Sequence, residues 1–156
     1  MKNSIFKTNP SFGPFVLRIL LGLVIFVHGA QKLLGWFGGS GFENTMNYLI
    51  DTVGLPWLVA CLTIILESMG ALALMAGFGT RLLAIAFTVL GIGIVFTGHI
   101  EHGFFMNWYG NQTGEGYEYF LLWIGMSISL IFSGGGIMSI DKIMGKRLII
   151  KNKNYE

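Results

Sequence analysis

The sequence predicts an all-α membrane protein, a four-transmembrane-helix bundle with both termini in the cytoplasm. Three observations predict it. Hydrophobic residues make up 53% of the chain and charged residues 12%, with a mean hydropathy of +0.66, whereas soluble domains carry about 25% charged residues. Four apolar segments approach the length of about 20 residues that a helix needs to cross a bilayer. The Lys and Arg residues, Lys32 excepted, fall on one side of those segments, which the positive-inside rule assigns to the cytoplasm. The whole chain, 1–156, reads as one domain. Its net charge of +2 gives no reason to expect nucleic acid. Its single cysteine, Cys61, excludes an intrachain disulfide or thiol relay.

The first segment covers about residues 15–37, with Pro14 suited to its first turn. A cleaved signal peptide fits it less well, because the apolar run is long and Arg18 interrupts it. Arg18 is close enough to the segment's start to snorkel to the inner surface. The second segment, 55–78, opens at Pro56. The short connection Gly77-Phe78-Gly79-Thr80-Arg81 makes the third segment, 82–98, its antiparallel neighbour. The fourth covers 117–137 and stops at Gly134-Gly135-Gly136. Helices follow because backbone groups in lipid must bond within their own segment, and no barrel-like alternation is present. Two surface helices are expected as well. In the first outer loop Phe42, Met46, Leu49 and Ile50 recur at helical spacing. After the last segment Ser139 or Asp141 can cap a basic helix, with Ile140, Ile143, Met144 and Leu148 toward the headgroups.

Glu67 is the one charge within residues 55–78. An ionisable residue at a spanning helix's centre costs about 2.5–3.5 kcal/mol on insertion scales, so it faces a bundle interior and marks a candidate site. On a helical wheel Ala60 and Ala71 lie within about 40° of Glu67, a close-packing face. In the first segment Gly22, Gly29, His28 and Lys32 share one side, within about 80° of Arg18, while Gln31 lies at about −140°. At 1.5 Å per residue His28 lies about 10 Å and Glu67 about 16 Å below the outer surface, so the two can meet. His99, Glu101 and His102 end the third segment, and Glu118 begins the fourth on the same side. All four tryptophans, Trp36, Trp57, Trp108 and Trp123, fall in the outer half. Acid, histidines and aromatics therefore converge at one end. The candidate catalytic residues are Glu67 and His28; the candidate binding residues are Lys32, His99, Glu118 and Trp108. The plainer alternative is an aromatic belt over a polar network that fixes helix register.

Five motifs in order resemble the DoxX family of small four-helix membrane proteins: Leu17-Arg18-Ile19 with His28-Gly29-Ala30-Gln31-Lys32-Leu33; Gly54-Leu55-Pro56 with Glu67-Ser68-Met69-Gly70; Gly77-Phe78-Gly79-Thr80-Arg81; His99 with Gly103-Phe104-Phe105-Met106-Asn107-Trp108 and Gly114-Glu115-Gly116-Tyr117-Glu118-Tyr119; and Gly134-Gly135-Gly136 with Ser139-Ile140-Asp141. The resemblance covers about residues 14–142. It implies a link to quinone-dependent oxidation of sulfur compounds, or to membrane redox and detoxification systems, and a redox partner subunit. Many relatives continue Tyr-His-Leu after the glutamate, where this chain has Tyr119-Phe120-Leu121.

The leading reading is thus a component of a quinone-linked redox system in the cell membrane. His28 or Lys32 would bond a quinone carbonyl, and Glu67 would exchange the accompanying proton. The alternative is a non-enzymatic scaffold or assembly subunit. A haem or metal ion on His28 and His99 is a weaker reading, since no E-x-x-H pair lies within a helix. A transporter is weaker still, because inverted repeats would need a second copy of the chain. The expected partners are the lipid bilayer, a redox subunit and, as an open alternative, another copy of the chain.

Overall fold

The computed structural model describes residues 8–153, with side chains over 8–146. Lys2 and Lys7 lie outside the described residues, as do the side chains of Arg147, Leu148, Lys151 and Lys153. The chain is all-helical, with no strand among the described residues. Three helices are long and apolar enough to cross a membrane: α1 (Phe12–Leu34), α3 (Trp57–Ala76) and α4 (Thr80–His102). A fourth apolar helix, α5 (Glu118–Ser133), is shorter. Two further helices flank them, α2 (Gly41–Asn47) after α1 and α6 (Ile140–Lys153) at the end of the chain.

Helix ends follow local chemistry rather than hydropathy. α1 stops before residue 37 because Gly35 takes the left-handed conformation, φ 70°, and donates its N–H to the Ala30 carbonyl. α5 stops at Ser133 because Gly134 leaves helical space at φ 72°, ψ −164°. α4 runs past residue 98 through a wider π turn, Val95–His99, and a tight last turn, Ile100–His102. A second π turn, Leu66–Gly70, interrupts α3 at Glu67, and a third, Tyr48–Thr52, continues α2.

Small residues decide how the helices meet. A Cβ on Gly29 would lie 2.3 Å from the Glu67 backbone, and one on Gly22 would lie 2.5 Å from Met75 Cγ. Only glycine lets α1 approach α3 this closely. α4 packs along α5, where Trp123 Nε1 donates to the Phe87 carbonyl at 2.8 Å. Leu21, Ile25, Leu74, Phe87, Trp123 and Leu130 fill the common core. α2 lays Met46 and Leu49 against Ala60 and Ile64 of α3. α3 and α4 are joined by their short turn but touch little beyond it. Away from the turn they stand apart and enclose a groove of about 590 Å³.

At the end where α1 begins and α5 finishes, a polar clasp ties the bundle together. Arg18 does not snorkel: it is 1% exposed. Its Nε donates to the Gly135 carbonyl at 2.8 Å, Nη2 to the Met138 carbonyl at 2.9 Å, and Nη1 to the Met75 carbonyl. Helix ends leave carbonyls unpaired, and a buried guanidinium with several donors satisfies them better than water reached by snorkelling. Asp141 accepts from the Gly79 and Thr80 backbone N–H groups, both at 2.8 Å, and so caps α4 rather than α6. Ser139 Oγ instead accepts the Lys142 N–H at 3.2 Å. Arg81 donates to the Ile131 and Phe132 carbonyls at the end of α5.

Candidate functional site

At the opposite end a cavity of about 360 Å³ opens among α1, α3, α4, α5 and the 103–117 loop. His28 and Lys32, one helical turn apart, enter from α1. Glu67 enters from the π turn of α3, and His99 from the end of α4. Tyr119, Phe120 and Trp123 form the α5 wall, and Met106 and Glu115 come from the loop. Four of the residues singled out by sequence, His28, Lys32, Glu67 and His99, thus share one cavity. Glu118 and Trp108 do not line it: Trp108 Nε1 donates to Glu118 Oε1 at 3.0 Å on the exposed rim. Gln31 is turned toward the Phe37 carbonyl.

Glu67 is 1% exposed, and its carboxylate is used unevenly. Oε2 pairs with Lys32 Nζ. Oε1 is buried with no hydrogen-bond partner. A buried polar atom without a partner carries a desolvation penalty of about 1–3 kcal/mol, more when charged. Lys32, 30% exposed, supplies the neighbouring donors. Close contacts surround the local backbone. Gly29 packs on the Glu67 peptide, and Ser68 Oγ donates to the Ile64 carbonyl at 2.6 Å inside the π turn. Such turns are frequent at functional sites.

The histidines are oriented by separate contacts. His28 faces Tyr119 edge-on, ring centroids 6.4 Å apart. His99 lies 4.6 Å from the Phe120 ring, and its Nδ1 is 2.8 Å from the Glu115 carbonyl. A carbonyl only accepts, so Nδ1 carries a proton and the neutral ring keeps Nε2 as an acceptor. Glu115 Oε2 accepts the Asn107 N–H at 2.7 Å, and Asn107 exchanges hydrogen bonds with Gln112. The 103–117 loop over the cavity is therefore a bonded structure. Phe120 makes that part of the wall apolar.

Tyr119, Glu115 and Met106 were not singled out by sequence. The signal for Tyr119 was its place directly after Glu118: one residue turns a helix by about 100°, which decides which of the two meets the cavity. Among the described residues no three His, Cys, Asp or Glu side chains converge as a metal site.

The DoxX family model matches residues 13–100, which run from α1 into α4. "Putative oxidoreductase CatD" of Bacillus subtilis (strain 168) is 29% identical over 140 residues, covering 88% of this chain and 92% of that protein. "Inner membrane protein YqjF" of Escherichia coli (strain K12) is 29% identical over 143 residues, 86% and 94% of the two chains. "Inner membrane protein YphA" of the same organism is 27% identical over 135 residues, 81% and 86%. No solved structure matches significantly. The family match over more than half of the chain, with its long apolar helices, makes this protein a multi-pass membrane protein that belongs to the DoxX family.

Proposed function

We propose that this protein is a component of a quinone-linked redox or detoxification system of the cell membrane, with a small-ligand site in the cavity of His28, Lys32, Glu67 and His99. The observation that carries the reading is Glu67 Oε1, a buried oxygen without a partner in the wall of a cavity bordered by aromatic rings. The name of the Bacillus relative supports a redox role, and those of the Escherichia relatives support the inner membrane.

The residues fit an oxygen-substituted ring. Tyr119, Phe120 and Trp123 offer faces and edges to a flat apolar body. Lys32 would donate to a ring oxygen, and Glu67 would give or take the proton at that oxygen. His28 and His99 would bind from the side, while the bond from Trp108 of the loop to Glu118 at the start of α5 holds the rim. A quinone would supply the electron chemistry. In this reading residues 1–156 form one domain, α5 is the fourth span, and both termini are cytoplasmic, so the cavity opens to the outer face. A redox partner subunit would deliver or collect the electrons, and a second copy of the chain is another candidate neighbour.

The test is binding of a quinol analogue to wild type and Glu67→Gln in nanodiscs. Tight binding by wild type, weakened about tenfold or more in the variant, is expected from loss of a charged hydrogen bond. Equal affinity in the two, or none in either, sinks the reading. A scaffold function is favoured instead by the close fit of Gly29 on the Glu67 backbone. It predicts that Glu67→Gln lowers the melting temperature while a partner still copurifies.

A further inference from the structure

The groove between α3 and α4 is joined to the cavity, since Lys32, Glu67, Ile94 and His99 line both. Its walls are apolar, formed by Leu62 and Leu66 of α3 and by Val89, Leu90 and Gly93 of α4. Tyr48 and Leu49, in the turn that extends α2, line it as well. Leu62 and Val89 are exposed on its flank, where α3 and α4 face the hydrocarbon. The groove therefore opens sideways into the bilayer, and the charged side chains lining it are Lys32 and Glu67.

Such a shape selects a ligand with two parts. The inner end needs a head that satisfies Glu67 Oε1. An ionised carboxylate needs a donor there, and a protonated one can need an acceptor. A hydroxyl meets either demand, and its oxygen can also accept from Lys32. The rest of the groove is mainly apolar, with Tyr48, Thr63, Thr97 and His99 as its other polar side chains, and suits a hydrocarbon chain.

Resting on the reading above that an oxygen-bearing ligand sits at Glu67, we infer that the groove holds the chain of a hydroxyl-headed, single-chain amphiphile. It reaches the Lys32–Glu67 pair from the bilayer, between α3 and α4, and not through the loop side of the cavity. The ion pair then forms the threshold between the two compartments. α3 and α4 need no large motion to admit the chain, because they already stand apart.

Gly93 supplies the test. A Cβ there meets nothing within 4 Å, so Gly93→Phe fills the groove without disturbing the backbone, and Val89→Trp serves as a second plug. The probe is a long-chain alkylphenol with a photoactivatable diazirine in mid-chain, applied to the full chain in nanodiscs, with plain phenol as competitor. Adducts are expected at Leu62, Leu66 and Val89, reduced by excess phenol. They should fall about tenfold or more in either plugged variant, because the chain is excluded by volume, while phenol binding stays unchanged. Adducts equal in wild type and plugged variants overturn the inference. So do adducts scattered over the α5 residues Leu122 and Phe132, or groove labelling by a diazirine phospholipid as strong as by the alkylphenol. If phenol binds and depends on Glu67 while the groove stays unlabelled, only the inference fails. If phenol binds neither wild type nor Glu67→Gln, the reading of the cavity fails with it.

Discussion

Arg18 and Glu67 are both charged, both 1% exposed and both within long apolar helices, yet their polar atoms are used differently. Arg18 spends its donors on carbonyls of three residues, one in α3 and two in the connection between α5 and α6, and its guanidinium lies 5.0 Å from the Phe15 ring centroid. Glu67 leaves one oxygen bare. The first pattern describes structure; the second is the observation on which the proposed ligand site rests. Hydrogen bonds to charged groups contribute about 1.5–3 kcal/mol each, so Arg18→Met should lower stability by roughly 3 kcal/mol or more in detergent unfolding. Arg18→Lys should not rescue it, because an ammonium lacks the planar fork that spans separate carbonyls. Lys32→Met should also destabilise, by roughly 1–3 kcal/mol, because it leaves the buried Glu67 carboxyl without its partner while Lys32 itself is only part-buried. Adding Glu67→Gln should recover much of that loss, and a double-mutant cycle reads the coupling. Sequence depth alone could not separate these roles. It marked Glu67 as central and Arg18 as peripheral, but the partners of Arg18 lie at residues 75, 135 and 138, beyond any local pattern.

Among the helices, the face of α1 was legible because its period carries it. Gly22, Gly29, His28 and Lys32 share a side on the wheel, and in the structure Gly22 and Gly29 meet α3 while His28 and Lys32 meet the cavity. The termini were less legible, since they depend on bonds that hydropathy does not see. Asp141 sets the start of α4 from more than 60 residues away, and the π turn at Val95–His99 changes the phase of its end. The phase of α5 is likewise set by the loop before it, which is why Tyr119 lines the cavity and Glu118 does not. Glycine substitutions test the packing. Gly29→Ala drives a methyl into the Glu67 peptide and should cost about 1–3 kcal/mol by overpacking. It should also part Lys32 from Glu67. Gly125→Ala in α5, where a Cβ meets nothing within 4 Å, should be neutral or stabilising by up to about 1 kcal/mol. Thermal melts of the two variants check the contrast.

At the scale of the whole molecule, polar chemistry is split between two ends, a clasp in which Arg18 and Asp141 bind backbone groups and a cavity in which Glu67 leaves one oxygen without a partner, with lipid-facing helices between them. The proposed topology puts the clasp in the cytoplasm. In a Cys61→Ala background, an impermeant maleimide applied to intact cells should label Thr113→Cys and spare Lys146→Cys; the reverse pattern would invert the bundle. The number and order of apolar helices were plain from composition and run length. Their spacing was not: the short connection implied that α3 and α4 are antiparallel neighbours, but not that α1 packs closely against α3 and α5 against α4 while a groove stays open between the two. The clasp has one more consequence, in time rather than in space. It joins residue 18 to residues 135 and 138, and residue 141 to residues 79 and 80. The ribosome must therefore deliver the chain as far as residues 135 to 141 before the first helix can be locked. Until then Arg18 lacks its last carbonyls and α4 lacks its cap. The translocon or a chaperone has to shelter these groups, and chains halted before about Met138 should be surrendered to membrane proteases instead of maturing.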